Sequence, residues 1–156
     1  MTWSGRLEFI HAAEKAAADM QELTEGTLIA GKGLEGDRYC LGIGEFSHKD
    51  VPGRHLTLIE SEVLDALKRD HNVDLAPHES RRNLTVRDVP LTHLVGKKFK
   101  VGDAVLLGVR INEPCRYLEG VLNKKIVTVL LHRSGLNCNV IEGGVIRPGD
   151  VVEPLN

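Results

Sequence analysis

The sequence predicts a mainly β fold, a barrel of short strands with a few short helices. Many short runs rich in Val, Leu and Ile are separated by turn residues, including Gly102-Asp103 and Gly149-Asp150. The predicted helices are few, and one segment is clearly the most secure of them. A chain of many short strands suits a barrel better than a doubly wound sheet, in which strands alternate with long helices.

The first part of the chain predicts strands at residues 6–10 and 27–30, because both runs are β-prone. Residues 12–23 have the composition of a helix, but their apolar positions are mostly alanine and offer little to bury. This segment therefore predicts either a short helix or a surface excursion. Residues 45–53 predict a loop.

The most secure helix follows a strand at residues 55–59. Ser61 is a suitable cap, and Val63, Leu64 and Leu67 fall on one helical face before the helix ends near residues 70–72. A further strand is predicted at residues 84–86. The two arginines just before it should point to opposite faces, so at most one of them faces a given pocket.

The second half of the chain predicts four more strands, at residues 97–101, 104–111, 136–141 and 151–152. Residues 91–95 predict a brief helical turn closed by Gly96. The spacing of apolar residues in 121–131 favours a helix, although the Ile and Val content leaves a strand open.

Composition limits the classes of protein that the chain can represent. With 156 residues and 42% hydrophobic content, the sequence predicts one soluble domain, residues 1–156. We expect no membrane span or secretory signal, and three well-separated cysteines favour a reducing cytoplasm over a disulfide framework. A net charge of −2 and 4% aromatic residues argue against nucleic acid as a partner.

Residues 31–36 form a G-x-G-x-x-G pattern, but no helical period follows in residues 37–44. Because a dinucleotide fingerprint needs a helix to start there, we interpret the match as accidental. The loop can still form an anion-binding nest, with Lys32 and Arg38 as nearby cations. A glycine-rich connection in which Asp37 and Arg38 merely pair on the surface explains the same residues.

Cys115 is the strongest candidate for chemistry. It follows Pro114 at the end of a strongly apolar strand, where proline cannot extend a central ladder, so the thiol is expected at a turn. The neighbouring guanidinium of Arg116 can favour the thiolate. A free cysteine can equally be an apolar core residue, which is how we interpret Cys40 and Cys138.

Six segments, in order, resemble the MOSC domain family, named after the C-terminal domain of molybdenum cofactor sulfurases. They are GLEGDR at 33–38, LTLIE at 56–60, RRNLTV at 81–86, the run from 96 to 102, EPC at 113–115, and GG at 143–144 with PGD at 148–150. The resemblance implies a closed barrel similar to that of pyruvate kinase, and association with the molybdenum cofactor, molybdopterin. It also implies that Cys115 carries sulfur as a persulfide or ligates molybdenum.

The resemblance directs attention to polar residues that could hold the cofactor. A doubly charged pterin phosphate calls for guanidinium groups and free amides, and an amide side chain can bind pterin edges. The candidates are Gly36, Asp37, Arg38, His55, Arg81, Arg82, Asn83 and Arg133. For each of them, an ordinary surface role remains the alternative.

The sequence also departs from the family. Many family members have a motif similar to Gly-Asp-Arg-His in the glycine loop. This chain has Tyr39 at the position of that histidine. We expect a stand-alone domain, without the pyridoxal-phosphate-dependent desulfurase module or the extra N-terminal barrel of larger members. We therefore expect a partner protein to act as sulfur donor or redox partner.

Three functional classes stay open. The first is a molybdenum-cofactor-binding protein that carries sulfur or reduces N-hydroxylated compounds. The second is a cysteine-dependent hydrolase in which a histidine such as His55 or His132 activates Cys115. The third is a non-catalytic binding module. A zinc hydrolase is disfavoured, because the histidines lack a ligand spacing such as His-Glu-x-x-His.

Overall fold

Seven strands close into a barrel in the computed structural model, which describes residues 2–47, 52–114 and 116–155. The strands of the described residues are β1 (Gly5–Ala12), β2 (Gln21–Leu23), β3 (Gly26–Ile29), β4 (Gly33–Leu34), β5 (Leu56–Glu60), β6 (Leu84–Arg87), β7 (Lys98–Val101), β8 (Ala104–Ile111), β9 (Leu136–Glu142), β10 (Gly144–Ile146) and β11 (Val151–Pro154). The predicted mainly β barrel is confirmed.

The barrel runs in the order β11-β7-β8-β9-β5-β6-β1 and closes where β1 pairs with β11 through Gly5 and Val152. Only β5 and β6 are parallel within this ring. Strand β2 extends the sheet from β1, and β10, β3 and β4 form a small second sheet. The parallel pair matters for the site, because it brings the beginnings of β5 and β6 to the same end of the barrel.

The helices of the described residues are α1 (Ser61–His71), α2 (Arg116–Leu122) and α3 (Val127–Leu130), with short 3-10 segments at Pro77–Ser80 and Leu91–Leu94. The helix after β5 is confirmed, but its cap is Glu60 rather than Ser61, whose hydroxyl instead donates to Glu8. The helix predicted for residues 121–131 is confirmed only in part, because 121–122 end α2, 127–130 form α3, and 123–126 are not helical. None of the described helices is long and apolar enough to cross a membrane.

The helix considered for residues 12–23 is wrong. The chain makes a turn near Ala17 and then forms β2 against β1. Alanines provide helix propensity but almost no apolar area, so pairing with a strand prevails over local preference. The other alternative, a surface excursion, describes residues 14–19 better, since four of these six residues are exposed.

Two apolar clusters hold the fold together. The barrel interior contains Phe99, Leu58, Leu84, Leu106 and Leu136, each fully buried. A second cluster joins α1, α2 and α3 outside the barrel, at Ile59, Leu64, Leu67, Leu75, Leu118, Ile126 and Leu130. Burial of each large side chain contributes roughly 1.5–3 kcal/mol. Through Leu118, the helix that begins after Cys115 is anchored to the rest of the protein.

Candidate functional site

A cavity of about 280 Å³ opens at the end of the barrel where β8 ends and β5, β6 and β9 begin. Five arginines line it, together with aromatic and polar side chains. The lining residues are Arg38, Tyr39, Phe46, Gly53, Arg54, Thr57, Arg81, Arg82, Arg110, Ile111, Asn112, Glu113, Tyr117, Leu118 and Asn137. We call this space the arginine cavity; a site so rich in guanidinium groups is suited to an anionic ligand.

Glycine makes the close approach of β9 to β5 possible. Gly135, just before β9, has φ +115°, and a Cβ on it would lie 2.1 Å from the carbonyl oxygen of Leu58. Gly135 also accepts a hydrogen bond from the backbone of Asn112, at 2.8 Å. Only glycine allows this conformation and this contact, and together they place residue 112 at the cavity.

Arg38 is held in place by a buried ion pair. Asp37 is fully buried and accepts hydrogen bonds from the backbone of Ala13 (3.0 Å) and of Tyr39 (3.1 Å) as well as from Arg38 Nη1 (3.0 Å). Arg38 Nη2 donates to the carbonyl of Arg81 at 3.4 Å. The carboxylate therefore positions Arg38 and balances its charge. Asp37 itself does not line the cavity.

Arg81 carries more evident signs of a binding role. Its backbone has φ +59°, a left-handed conformation that costs an ordinary residue roughly 1–2 kcal/mol. Its Nη1 donates to the carbonyl of Ala18 at 2.6 Å, while Nη2 is buried without a hydrogen-bond partner in the described part of the chain. Burial, and then the charge of Arg38, lower the pKa of Arg81. A buried cation with an unused donor fits an anion in the cavity.

Arg82 fixes the segment that leads to Cys115. Its Nε donates to the carbonyl of Ser134 at 3.0 Å, and its Nη2 donates to Ser134 Oγ at 2.8 Å and to Asn112 Oδ1 at 2.6 Å. Asn112 in turn donates through Nδ2 to Asn137 Oδ1. This network holds residue 112, and therefore the following Glu113 and Pro114, against the start of β9.

The prediction that at most one of Arg81 and Arg82 faces a given pocket is wrong, because both line the arginine cavity. That prediction assumed extended strand geometry, in which neighbouring side chains alternate. Arg81 is instead the left-handed residue that closes a 3-10 segment, and β6 begins only at Leu84. The turn rotates the two guanidinium groups toward the same space.

Arg54 and Arg110 form a second group of cations that sequence reasoning missed. Arg54 lies over the ring of Phe46 at 5.4 Å, and Phe46 contacts Tyr117 edge-on with 6.0 Å between ring centroids. Arg110 Nη1 donates to the carbonyl of Pro52. A signal was available for Arg110, since a charged residue near the end of the apolar strand Ala104–Ile111 is unusual unless it serves a site.

Among the remaining candidates, His55, Asn83, Arg133 and Gly36 are not part of the cavity lining. His55 Nδ1 accepts from the backbone of Val140 at 3.1 Å, and burial lowers the pKa of His55. Asn83 bonds to Thr57 and His11 and joins β5, β6 and β1. Arg133 Nε donates to the carbonyl of Val129 at 2.9 Å, and Gly36 is an exposed loop residue with φ +85°.

Cys115 lies outside the described residues. Glu113 and Tyr117, two positions before and two positions after it in the sequence, line the arginine cavity. The other cysteines are Cys40, where burial raises the pKa of the thiol, and Cys138, which is fully buried in the barrel. In residues 2–47, 52–114 and 116–155, no three His, Cys, Asp or Glu side chains cluster as a metal site would require.

The histidines considered as activators of Cys115 do not line the cavity either. His55 uses Nδ1 within the barrel wall, as described above. His132 is 81% exposed, and its Nδ1 lies 3.9 Å from a carboxylate oxygen of Glu113. Neither histidine lines the arginine cavity, so the described residues give no support to a cysteine hydrolase there.

A seven-stranded barrel with an arginine-rich cavity at one end defines the class of protein: a small β-barrel domain with a cation-lined cavity. The model of the MOSC domain family matches residues 45–153, so the chain belongs to the MOSC domain family, as its sequence predicts. This family is generally linked to molybdenum cofactor binding and sulfur-related function. No curated protein sequence matches the chain.

Solved structures share the fold. YuaD from Bacillus subtilis is similar with a TM-score of 0.80 and 19% identity, covering 97% of both chains. YiiM from Geobacillus stearothermophilus is similar with a TM-score of 0.71 and 13% identity, covering 97% of this chain and 75% of its own. YiiM from Escherichia coli has a TM-score of 0.67 and 19% identity, covering 97% and 70% respectively.

Proposed function

We propose that the chain binds the molybdenum cofactor in the arginine cavity and that Cys115 acts on sulfur or on the metal there. The observation that carries the proposal is the buried Nη2 of Arg81, which has no hydrogen-bond partner among the described residues and belongs to a cation beside Arg38. An anionic phosphate would satisfy this donor and offset the repulsion between the two guanidinium groups.

The residues present fit such a cofactor. Arg38 and Arg81 would hold the phosphate, and the side-chain amides of Asn112 and Asn137 line the same cavity as hydrogen-bonding groups for a pterin ring. Residues 113 and 117, which line the cavity, are two positions before and after Cys115 in the sequence, and this proximity along the chain supports a role for its thiol. When bound, the cofactor supplies a centre that exchanges two electrons.

Cys115 would serve as a thiolate in either form of the function. As a sulfur carrier, its thiolate takes the outer sulfur of a donor persulfide, so that Cys115 becomes a persulfide and the donor leaves as a thiolate. As part of a reductase, it would be a metal ligand while an N-hydroxyl group, two electrons and two protons give an N–H group and water. The electrons would come from a redox partner protein.

Native mass spectrometry of protein expressed in cofactor-producing cells tests the proposal. We expect a bound pterin mass in the wild type, and its loss in Arg81→Gln and in Cys115→Ser. Arg147→Gln and Cys40→Ser are the matched controls, because neither residue lines the cavity, and both should retain the cofactor.

Absence of a pterin mass from the wild type would contradict the proposal. Equal retention by Arg81→Gln and by its control would also contradict it. Circular dichroism of each variant separates loss of the cofactor from loss of the fold.

A further inference from the structure

The arginine cavity contains two separate pairs of cations. The inner pair, Arg38 and Arg81, is 7% and 5% exposed and is carried by the loop after β4 and the turn before β6. The outer pair, Arg54 and Arg110, is partly exposed and is carried by the segment before β5 and by β8. The two pairs therefore have different backbone supports.

Like charges are close together in both pairs. Burial and the neighbouring Arg38 lower the pKa of Arg81, and burial and the neighbouring Arg54 lower the pKa of Arg110. Asp37 balances Arg38 in the inner pair. In the outer pair, no carboxylate of the described residues lies within ion-pair distance of either guanidinium group.

The outer pair also has an unused donor. Arg54 Nε is buried and has no hydrogen-bond partner in the described part of the chain. Its guanidinium group is held over Phe46, and Arg110 is held through its bond to Pro52. Two cations are thus brought together and oriented at a cavity wall, with a buried donor left for a ligand.

We infer that Arg54 and Arg110 form a second anion subsite, which binds a phosphate or carboxylate group in addition to the anion at Arg38 and Arg81. The inference rests on the proposed function only for the identity of the first anion. The second acid group has two sources, a further phosphate on the same cofactor molecule or the acid group of a substrate bound beside it. Both sources present the same chemistry to the two arginines.

Inorganic phosphate tests the subsite without the cofactor. In a two-dimensional NMR titration of the arginine Nε–H signals, phosphate should shift Arg54 and Arg81 with two separate dissociation constants. Arg110→Gln keeps the Arg54 signal and should weaken binding at the outer subsite by about tenfold or more, since it removes charge-assisted hydrogen bonds. The double variant Arg54→Gln/Arg110→Gln should leave the titration of Arg81 unchanged. Arg147→Gln is the matched control and should leave both titrations unchanged.

A single binding event that moves both signals together would overturn the inference, as would an Arg54 signal that phosphate does not shift. Because phosphate is the probe, either failure concerns the second subsite and leaves the cofactor test above standing. Conversely, two phosphate sites in a chain that never retains a pterin would support the subsite and contradict the proposed function.

Repeating the titration on cofactor-loaded protein distinguishes the two sources. If phosphate still shifts Arg54, the outer subsite is open in the loaded protein and serves the acid group of a substrate. If Arg54 no longer responds, and the double variant also loses the pterin mass, a second phosphate of the cofactor occupies the outer subsite. Both results support a second anion subsite and assign its ligand.

Discussion

Arginines on the outer surface and arginines in the cavity have different partners. On the surface, Arg69 pairs with Asp70 at 2.6 Å, Arg147 with Glu25 at 2.8 Å, and Arg87 with both Glu8 and Asp65. In the cavity, Arg81 and Arg110 donate to backbone carbonyls, and Arg54 covers an aromatic ring. The surface charges are balanced by carboxylates of the protein, whereas no carboxylate of the described residues lies within ion-pair distance of Arg54, Arg81 or Arg110.

Arg38 lines the cavity but forms an ion pair with a carboxylate, Asp37, as the surface arginines do. Its substitution is expected to change the free energy of unfolding more than any other substitution considered. Arg38→Met would leave the buried carboxylate of Asp37 without its counter-charge. We expect the free energy of unfolding to fall by about 3 kcal/mol, the usual cost of removing one partner of a buried ion pair. Urea unfolding at neutral pH measures this value.

Asp37→Asn combined with Arg38→Met is the matched control, because it removes both charges and should recover part of the lost stability. If Arg38→Met alone lowers stability by less than about 1 kcal/mol, the pair behaves as an exposed ion pair does. Arg38 would then be as available to a ligand as Arg81.

The second prediction concerns Glu60 and Glu62, two carboxylates of like charge that lie close together outside the arginine cavity. Burial, together with the charge of Glu62, raises the pKa of Glu60 from 4.5 to about 7. Between these two values the folded protein holds a proton that the unfolded chain has lost, so stability falls as pH rises through this window. Because Glu60 is partly exposed, we expect Glu60→Gln to gain about 2 kcal/mol above pH 7 rather than the full value of the shift.

Urea unfolding at a series of pH values tests this expectation. The gain from Glu60→Gln should be small near pH 4.5 and complete above pH 7. Glu142→Gln, at an exposed carboxylate, is the matched control for removal of one negative charge. A gain that does not vary with pH would mean that Glu60 is ionised in the folded protein as in the unfolded chain.

The sequence predicts the barrel well and the cavity only in part, for a physical reason. Strands such as Ala104–Ile111 and the turn at Gly102 depend on local pattern and turn chemistry, which a sequence displays directly. Arg54 and Arg110 are 56 positions apart and meet only because β5 and β8 both pair with β9. Such a meeting has no local signal.

Errors at single residues have the same origin. The opposite-faces rule failed for Arg81 and Arg82 because a left-handed turn precedes the strand, and nothing in the residue type of Arg81 indicates positive φ. The resemblance of their segments to one family nevertheless indicates that Arg38, Arg81 and Arg82 belong together. Local physics thus predicted the framework, and the family pattern indicated which charges belong to one site.

Arg81→Met has a smaller predicted effect and an opposite sign to that of Arg38→Met. It removes a buried charge, an unused donor and the repulsion from Arg38, at the cost of one hydrogen bond to Ala18. We expect the free energy of unfolding to rise by about 1 kcal/mol in phosphate-free buffer. A loss of stability would show that Arg81 is a structural residue and would remove it from the comparison.

Phosphate should stabilise the wild type more than Arg81→Met, because a ligand that binds only the folded state stabilises that state. Thermal unfolding with and without added phosphate measures the difference. Sodium chloride at the same ionic strength is the control for general screening. If phosphate stabilises both proteins equally, the anion binds elsewhere.

Arg147→Met tests the surface side of the comparison and has the smallest expected effect. Arg147 and Glu25 are 59% and 51% exposed, so their pair should contribute about 0.5 kcal/mol at low salt and almost nothing in concentrated salt. The effect of Arg38→Met should persist in the same salt, because its pair with Asp37 is buried and poorly screened. Urea unfolding of both variants at two salt concentrations compares them directly. If salt reduces the stability effects of Arg38→Met and Arg147→Met equally, the Arg38–Asp37 pair is screened by solvent as much as the surface pair is. Burial would then not distinguish the cavity arginines from the surface arginines.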